Sequence, residues 1–186
     1  RFFKRVVELV EVGLYQVDDS AYPDGVPLYR AELRQVDLAE LVARDLQSDV
    51  LLDGTFVHGK SVTYDVGIRY RGEHSRNFWV KSFRIQFGDD EPFEGITDLD
   101  LNAQDSTVAH MAADFFRRAD MPVFQTAPVA YTLNKSWEAR HGGIYLRVEA
   151  VDEDFLARQF PQDDGGNLYR GYDAGGGDQG DLSYKG

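Results

Sequence analysis

Cysteine is absent from this 186-residue chain, which excludes disulfides, thiol nucleophiles and cysteine-ligated metal centres. Positive charge is scarce as well. Twenty Lys and Arg stand against 32 Asp and Glu, for a net charge of −12, and nucleic-acid or anionic-membrane binding needs broad positive surface. No apolar run approaches the ~20 residues that span a bilayer. The four histidines, His58, His74, His110 and His141, are scattered without ligand spacing, so a zinc site is not expected. No G-x-S-x-G elbow occurs, and the stretch RGEHSR is not a G-x-G-x-x-G loop. What is present is a hydrophobic content of 42% with 13% aromatics, the composition of a folded domain with a sizeable core. The chain opens on Arg1 with no signal peptide, and its last residues, GDLSYKG, close no periodic element. Both ends are therefore expected to be cuts within a longer protein.

One stretch inverts the general charge. From Arg69 to Arg84, RYRGEHSRNFWVKSFR sets Arg69, Arg71, Arg76, Lys81 and Arg84 against the single acid Glu73. Val62, Tyr64, Val66, Ile68 and Tyr70 alternate with polar residues before it, and Lys81, Phe83, Ile85 and Phe87 share one face after it. The pattern predicts an antiparallel strand pair joined by an Arg-Gly loop. Basic groups at such a loop suit a polyphosphate. Lys81, at the loop end of an apolar face, is expected to pack its stem on the core and reach beneath the loop with its ammonium. Solvated charges that pair with surrounding acids are the plainer account of the same arginines.

Elsewhere, Val6 to Tyr15 reads as a strand, and Asp37 to Leu46 as a short helix. Asp37 is expected as its cap with Glu40 in the capping-box position, and Leu38, Leu41, Val42 and Leu46 as its apolar face. Asp105 to Ala119 is the strongest helix, capped by Asp105 or Ser106 and stopped by Pro122. Its apolar positions are Val108, Met111, Ala112, Phe115 and Ala119. Thr126–Leu133 and Gly143–Glu149 read as a hairpin. Asp152 caps a last helix through Phe160, with Val151 placed to staple against Leu156. Asp152, Glu153 and Asp154 are read as cap and first-turn acids rather than metal ligands. From Asp163 the chain turns Gly- and Asp-rich, and DAGGGDQGD predicts a mobile loop.

Strand, basic loop, lysine strand, helix, two strands and a capped helix is also the element order of a protein-kinase nucleotide-binding lobe. The residues themselves resemble the spore-coat protein H (CotH) kinases, a family of atypical kinases. The resemblance rests on VGIRYRGEHSR followed by KSFRIQF, on LDLNAQDST, GGIYLRVEAVDEDFL and GNLYRG, in that order. It implies an α+β fold: an antiparallel-sheet N-lobe with one long helix, plus the start of a helical C-lobe. Within a single truncated domain spanning 1–186, it implies an N-terminal strand and helix part over 1–48 and a nucleotide-binding lobe over 50–160. A Gly/Asp-rich loop over 161–186 would then lead to a missing C-terminal part.

The function implied is phosphorylation of protein serine or threonine with ATP and Mg2+ or Mn2+, in a secreted, cell-surface or spore-coat setting. Carried over residue by residue, Arg71, Gly72, Ser75 and Arg76 would cover the phosphates and Lys81 would pair with them. Glu149 and Val151 would stand where the base docks; from the residues alone, Glu149 is a strand-end acid favoured beside a helix N-terminus. The catalytic and metal-binding acids are expected downstream of Gly186, so no catalytic residue or metal ligand is assigned within the chain.

The chain departs from the family pattern at Glu73-His74, at Ala109-His110 and at Arg170. Asp114 is left as a candidate acid to brace Lys81. Two other classes stay open. One is a surface adhesin or scaffold that keeps the fold without catalysis; the other is an unrelated sugar- or polyanion-binding module.

Overall fold

In a computed structural model the described residues are 24–135, 140–163, 165–172 and 181–184. The strand expected over Val6–Tyr15 lies outside them. Seven strands carry the fold: β1 (Leu28–Leu33), β2 (Leu52–His58), β3 (Ser61–Arg71), β4 (Ser82–Gln86), β5 (Asp98–Asn102), β6 (Thr126–Leu133) and β7 (Gly142–Val148). They follow one another around a closed barrel in the order β1-β2-β3-β4-β5-β7-β6. Every pairing is antiparallel except the one that closes the barrel, where β1 runs parallel to β6.

This overturns the expected kinase-like α+β lobe. The sheet does not remain open beneath a long helix; it rolls up until no edge is left exposed. The closure is reinforced at Asn134, whose side-chain amide accepts from the Leu33 N–H at 2.7 Å and donates to the Leu33 carbonyl at 2.8 Å. Pro128 is compatible with a doubly paired strand because the β1 ladder begins beyond it, at Ala130.

Alternation fills the interior. Val66, Ile68 and Tyr70 of β3, Phe83 and Ile85 of β4, Leu99 and Leu101 of β5, and Val129 and Tyr131 of β6 all point inward and are buried. At one end, Tyr29, Phe56, Phe87 and Phe93 pack edge to face or stacked with centroids 5.0 to 5.5 Å apart. Such geometry suits ring quadrupoles. The other end lies under residues 72–80.

The helices are accessories. α1 (Gln35–Ala43) buries Leu41 and packs Leu38 against the core cluster, as does Leu46 beyond it. Its expected cap is not formed: Arg34 occupies the N-cap position, and Asp37 sits in the first turn bound to the Arg34 guanidinium at 2.5 Å. α2 (Ser106–Arg118) lies where its periodicity places it, yet only Ala113 is buried. Val108, Met111 and Phe115, the expected apolar face, are all exposed. Asp105 takes a left-handed conformation and makes no cap bond, while the Ser106 hydroxyl donates to the Asn102 carbonyl.

α3 (Glu153–Gln159) is capped as expected, with Asp152 accepting from the Asp154 and Phe155 N–H groups. β8 (Tyr169–Tyr172) and β9 (Asp181–Tyr184) form a separate antiparallel pair. Residues 173–180, most of the expected DAGGGDQGD loop, are outside the described set. No helix among the described residues is long and apolar enough to cross a membrane.

Candidate functional site

The Arg-Gly loop folds into a short 3-10 turn, His74–Asn77, between β3 and β4. Gly72 enters it at φ +101, a region costly for any residue with a Cβ. Arg76 is buried beneath the turn. Its guanidinium donates to the carbonyls of Leu46 and Ser48 and pairs with Asp49 at 2.5 Å. The first effect of this arginine is to pin the loop to the segment that follows α1.

Lys81 is only 4% exposed. Its ammonium donates to the Arg76 carbonyl at 2.5 Å and lies 5.6 Å from the Tyr70 ring centroid. Burial, aided by the Arg140 charge, lowers its pKa. Among the described residues no carboxylate pairs with it. Asp114, the candidate brace, instead binds Arg117 and Arg118 on its own helix.

On the outer face of β3, β4 and β5 stands a second constellation. Arg84 and Asp100 are direct cross-strand partners and bond twice, at 2.8 Å each. Arg71 reaches the same carboxylate at 2.7 Å and also donates to the Asn102 side-chain carbonyl. Asp98 takes a further contact from Arg84 at 3.2 Å, and Arg69 pairs with Asp49 at 2.7 Å. Burial would raise the Asp100 carboxyl, but the Arg84 hydrogen bond and the charges of Arg71 and Arg84 outweigh it and hold the pKa below its ordinary value. Nearby, the Ser82 hydroxyl donates to Gln104 and accepts from the Ala103 N–H. Gln104 in turn donates to the Val80 carbonyl. The stretches IRYRG, KSFR and LDLNAQ thus bind one another.

Arg71, Gly72, Ser75, Arg76 and Lys81 therefore meet at one end of the barrel. Glu149 and Val151 do not join them. From Leu146, which pairs with Asn102, the chain runs three more residues to Glu149, about 10 Å of strand. There Glu149 accepts from the Gln125 N–H at 2.7 Å and pairs with Arg158 through both oxygens. Its partners Gln125 and Arg158 line a cavity of about 460 Å3, together with Arg117, Met121, Val123 and Gln159.

Sequence reasoning placed Arg84 in the basic stretch but missed its partner Asp100 and the neighbouring Asn102. Their signal was available: each is a polar position alternating with buried residues on β4 or β5, with opposite charges at equal register. It also missed Arg140 and His141, which carried no periodic signal. Among the described residues no group of three or more His, Asp and Glu is disposed to hold a metal ion.

Comparison with known proteins agrees with these interlocked stretches. The chain is 31% identical over 139 residues to the inner spore coat protein H of Bacillus subtilis (strain 168). That alignment takes in 72% of this chain and 36% of the relative, so the chain spans about a third of the relative's length. The family model described as CotH kinase protein matches residues 68–184, from the last residues of β3 through the loop, Lys81 and both helices α2 and α3 to β9. The chain belongs to the CotH kinase protein family.

Proposed function

We propose that this chain is the nucleotide-binding part of a CotH-type protein kinase that transfers the γ-phosphoryl group of ATP to serine or threonine of a protein, in a spore-coat or surface setting. The observation that carries the reading is Lys81: a buried ammonium at the end of a glycine loop, with no carboxylate partner among the described residues. The same end of the barrel holds buried guanidinium nitrogens that have no partner among the described residues, Nη2 of Arg44, Nε of Arg76 and Nε of Arg140. Unpaired buried donors of this kind fit a polyanion.

In this reading ATP supplies the phosphoryl group, and the chain's own residues bind and orient it. Lys81 neutralises phosphate charge, while Arg71 and Arg84 on the adjoining outer face, both shared with Asp100, add positive potential. Positioning and charge neutralisation supply most of the rate in such transfers. No metal-dependent step is assigned to the described residues.

The test is Lys81→Ala in the longer protein, together with Mg-ATP titration of the chain. Autophosphorylation is expected to be mostly abolished and nucleotide binding weakened; retained activity overturns the assignment. A second reading, a non-catalytic surface scaffold, is favoured by Asp100, whose carboxylate already occupies both Arg71 and Arg84. It expects no nucleotide binding by the wild-type protein.

A further inference from the structure

Tyr70, Lys81, Arg140 and His141 crowd together under residues 72–80. The Tyr70 hydroxyl lies 2.9 Å from His141 Nε2, and Arg140 is a positive neighbour that lowers its pKa against burial. His141 also stacks on the Tyr70 ring, at 6.1 Å. The Lys81 N–H donates to the Arg140 carbonyl at 3.2 Å, fixing the two backbones side by side. The Arg140 guanidinium is held over the exposed Trp79 ring at 5.1 Å, and its Nε is buried with no partner among the described residues. Arg44 is a further positive neighbour of Tyr70.

Among the described residues the charges at this end do not balance. Lys81 and Arg140 make no ion pair among the described residues, and each lowers the pKa of His141 together with burial. Two further hydroxyls, on Tyr131 and Tyr145, are buried near Tyr70 and have no hydrogen-bond partner among the described residues. Leaving two neighbouring cations partly buried without an anion is costly. A ligand bearing two negative charges and several acceptor oxygens removes that cost, and a phosphoryl group has both.

We infer that this end of the barrel binds a phosphoryl group between Lys81, Arg140 and the Tyr70 hydroxyl, with His141 fixing the orientation of Tyr70. A phosphate oxygen replaces the Arg76 carbonyl as the acceptor of Lys81, and Arg140 swings from Trp79 onto a second oxygen. This rests on the nucleotide reading, to which it adds Tyr70, Arg140 and His141. The phosphoryl group is taken as the end of a nucleotide's phosphate chain, and free phosphate or pyrophosphate has the same chemistry.

Titration calorimetry of Mg-ATP, pyrophosphate, inorganic phosphate and adenosine against the wild-type chain and Arg140→Gln separates the possibilities. Wild type is expected to bind ATP and pyrophosphate, and Arg140→Gln to lose at least about tenfold in affinity for both. Wild type that binds ATP, with Arg140→Gln unchanged, overturns this inference and leaves the nucleotide reading standing. Binding of pyrophosphate without ATP does the reverse. Binding of neither overturns both. A folding defect in Arg140→Gln is distinguished by NMR titration of His141. In a folded variant its pKa rises from about 4, because one of the neighbouring charges has gone. In wild type the His141 ring signals shift on adding pyrophosphate; unshifted signals at saturation place the ligand elsewhere and overturn the inference.

Discussion

Ser75 turns its hydroxyl onto Gly72 so closely that a Cβ placed on Gly72 would fall 1.8 Å from the Ser75 oxygen. Loop shape is thus set by one residue that lacks a side chain and another that fills the vacated space. Gly72→Ala combines this clash with a φ of +101 and is expected to cost about 1–3 kcal/mol. Urea unfolding measures it. Ser75→Ala, which removes only the hydroxyl, should cost less than half as much, and in the double variant it should relieve part of the Gly72→Ala cost; no relief would show that φ, not contact, dominates.

Asp100 is the hub of the outer charge network, at 2% exposure between Arg71 and Arg84. Asp100→Asn leaves both guanidinia facing a neutral amide and is expected to destabilise by about 3–5 kcal/mol. Because the folded carboxyl has the lower pKa, its contribution is complete above the unfolded value of about 3.9. It is lost as pH falls through the folded value. Acid unfolding below about pH 4 should therefore be shallower in the variant, as followed by circular dichroism.

His141 acts in a different window. Burial, with Arg140 and Lys81, lowers its pKa to about 4, so the folded protein prefers the neutral ring. Stability is complete above about pH 6.5 and declines as pH drops toward 4, since the unfolded chain takes up the proton first. After allowance for solvent screening at a partly exposed ring, the decline amounts to about 1–2 kcal/mol. His141→Asn should flatten the dependence of the urea midpoint between pH 6.5 and 4.5; an unchanged slope sinks the assignment.

The exposed face of α2 makes its own prediction. Phe115 is 68% exposed, so Phe115→Glu should alter stability by no more than about 0.5 kcal/mol. Ala113, the buried residue of the helix, should not accept a larger side chain. Ala113→Leu is expected to cost about 1–3 kcal/mol through overpacking. Reversed costs would mean that the helix is rotated on the barrel.

Local pattern made part of this architecture legible. Alternation located β3 and β4 and named Val66, Ile68, Tyr70, Phe83 and Ile85 as inward residues; period and cap chemistry located α2 and α3. The closed barrel was not legible. β1 follows a stretch with Pro23, Gly25 and Pro27, β2 carries the turn pair Asp53-Gly54, β5 is only LDLN with its flanking acid, and the parallel pairing of β1 with β6 leaves no mark in either strand. The 3.6-residue period of α2 shows that one face is apolar, but not whether anything covers it. At the site, residue types announced the basic loop correctly, whereas the roles of Arg76 as a buried pin and Glu149 as a partner of Arg158 depend on neighbours remote in sequence.

The bond from Leu33 to Asn134 spans 101 positions of chain. Native structure in the first strand must wait for nearly all of the barrel to be made, because its parallel neighbour is among the last strands to emerge. A high contact order of this kind slows folding. During synthesis β1 has, among the described strands, β2 alone to pair with first, so the unfinished sheet presents two open edges until the seventh strand leaves the ribosome.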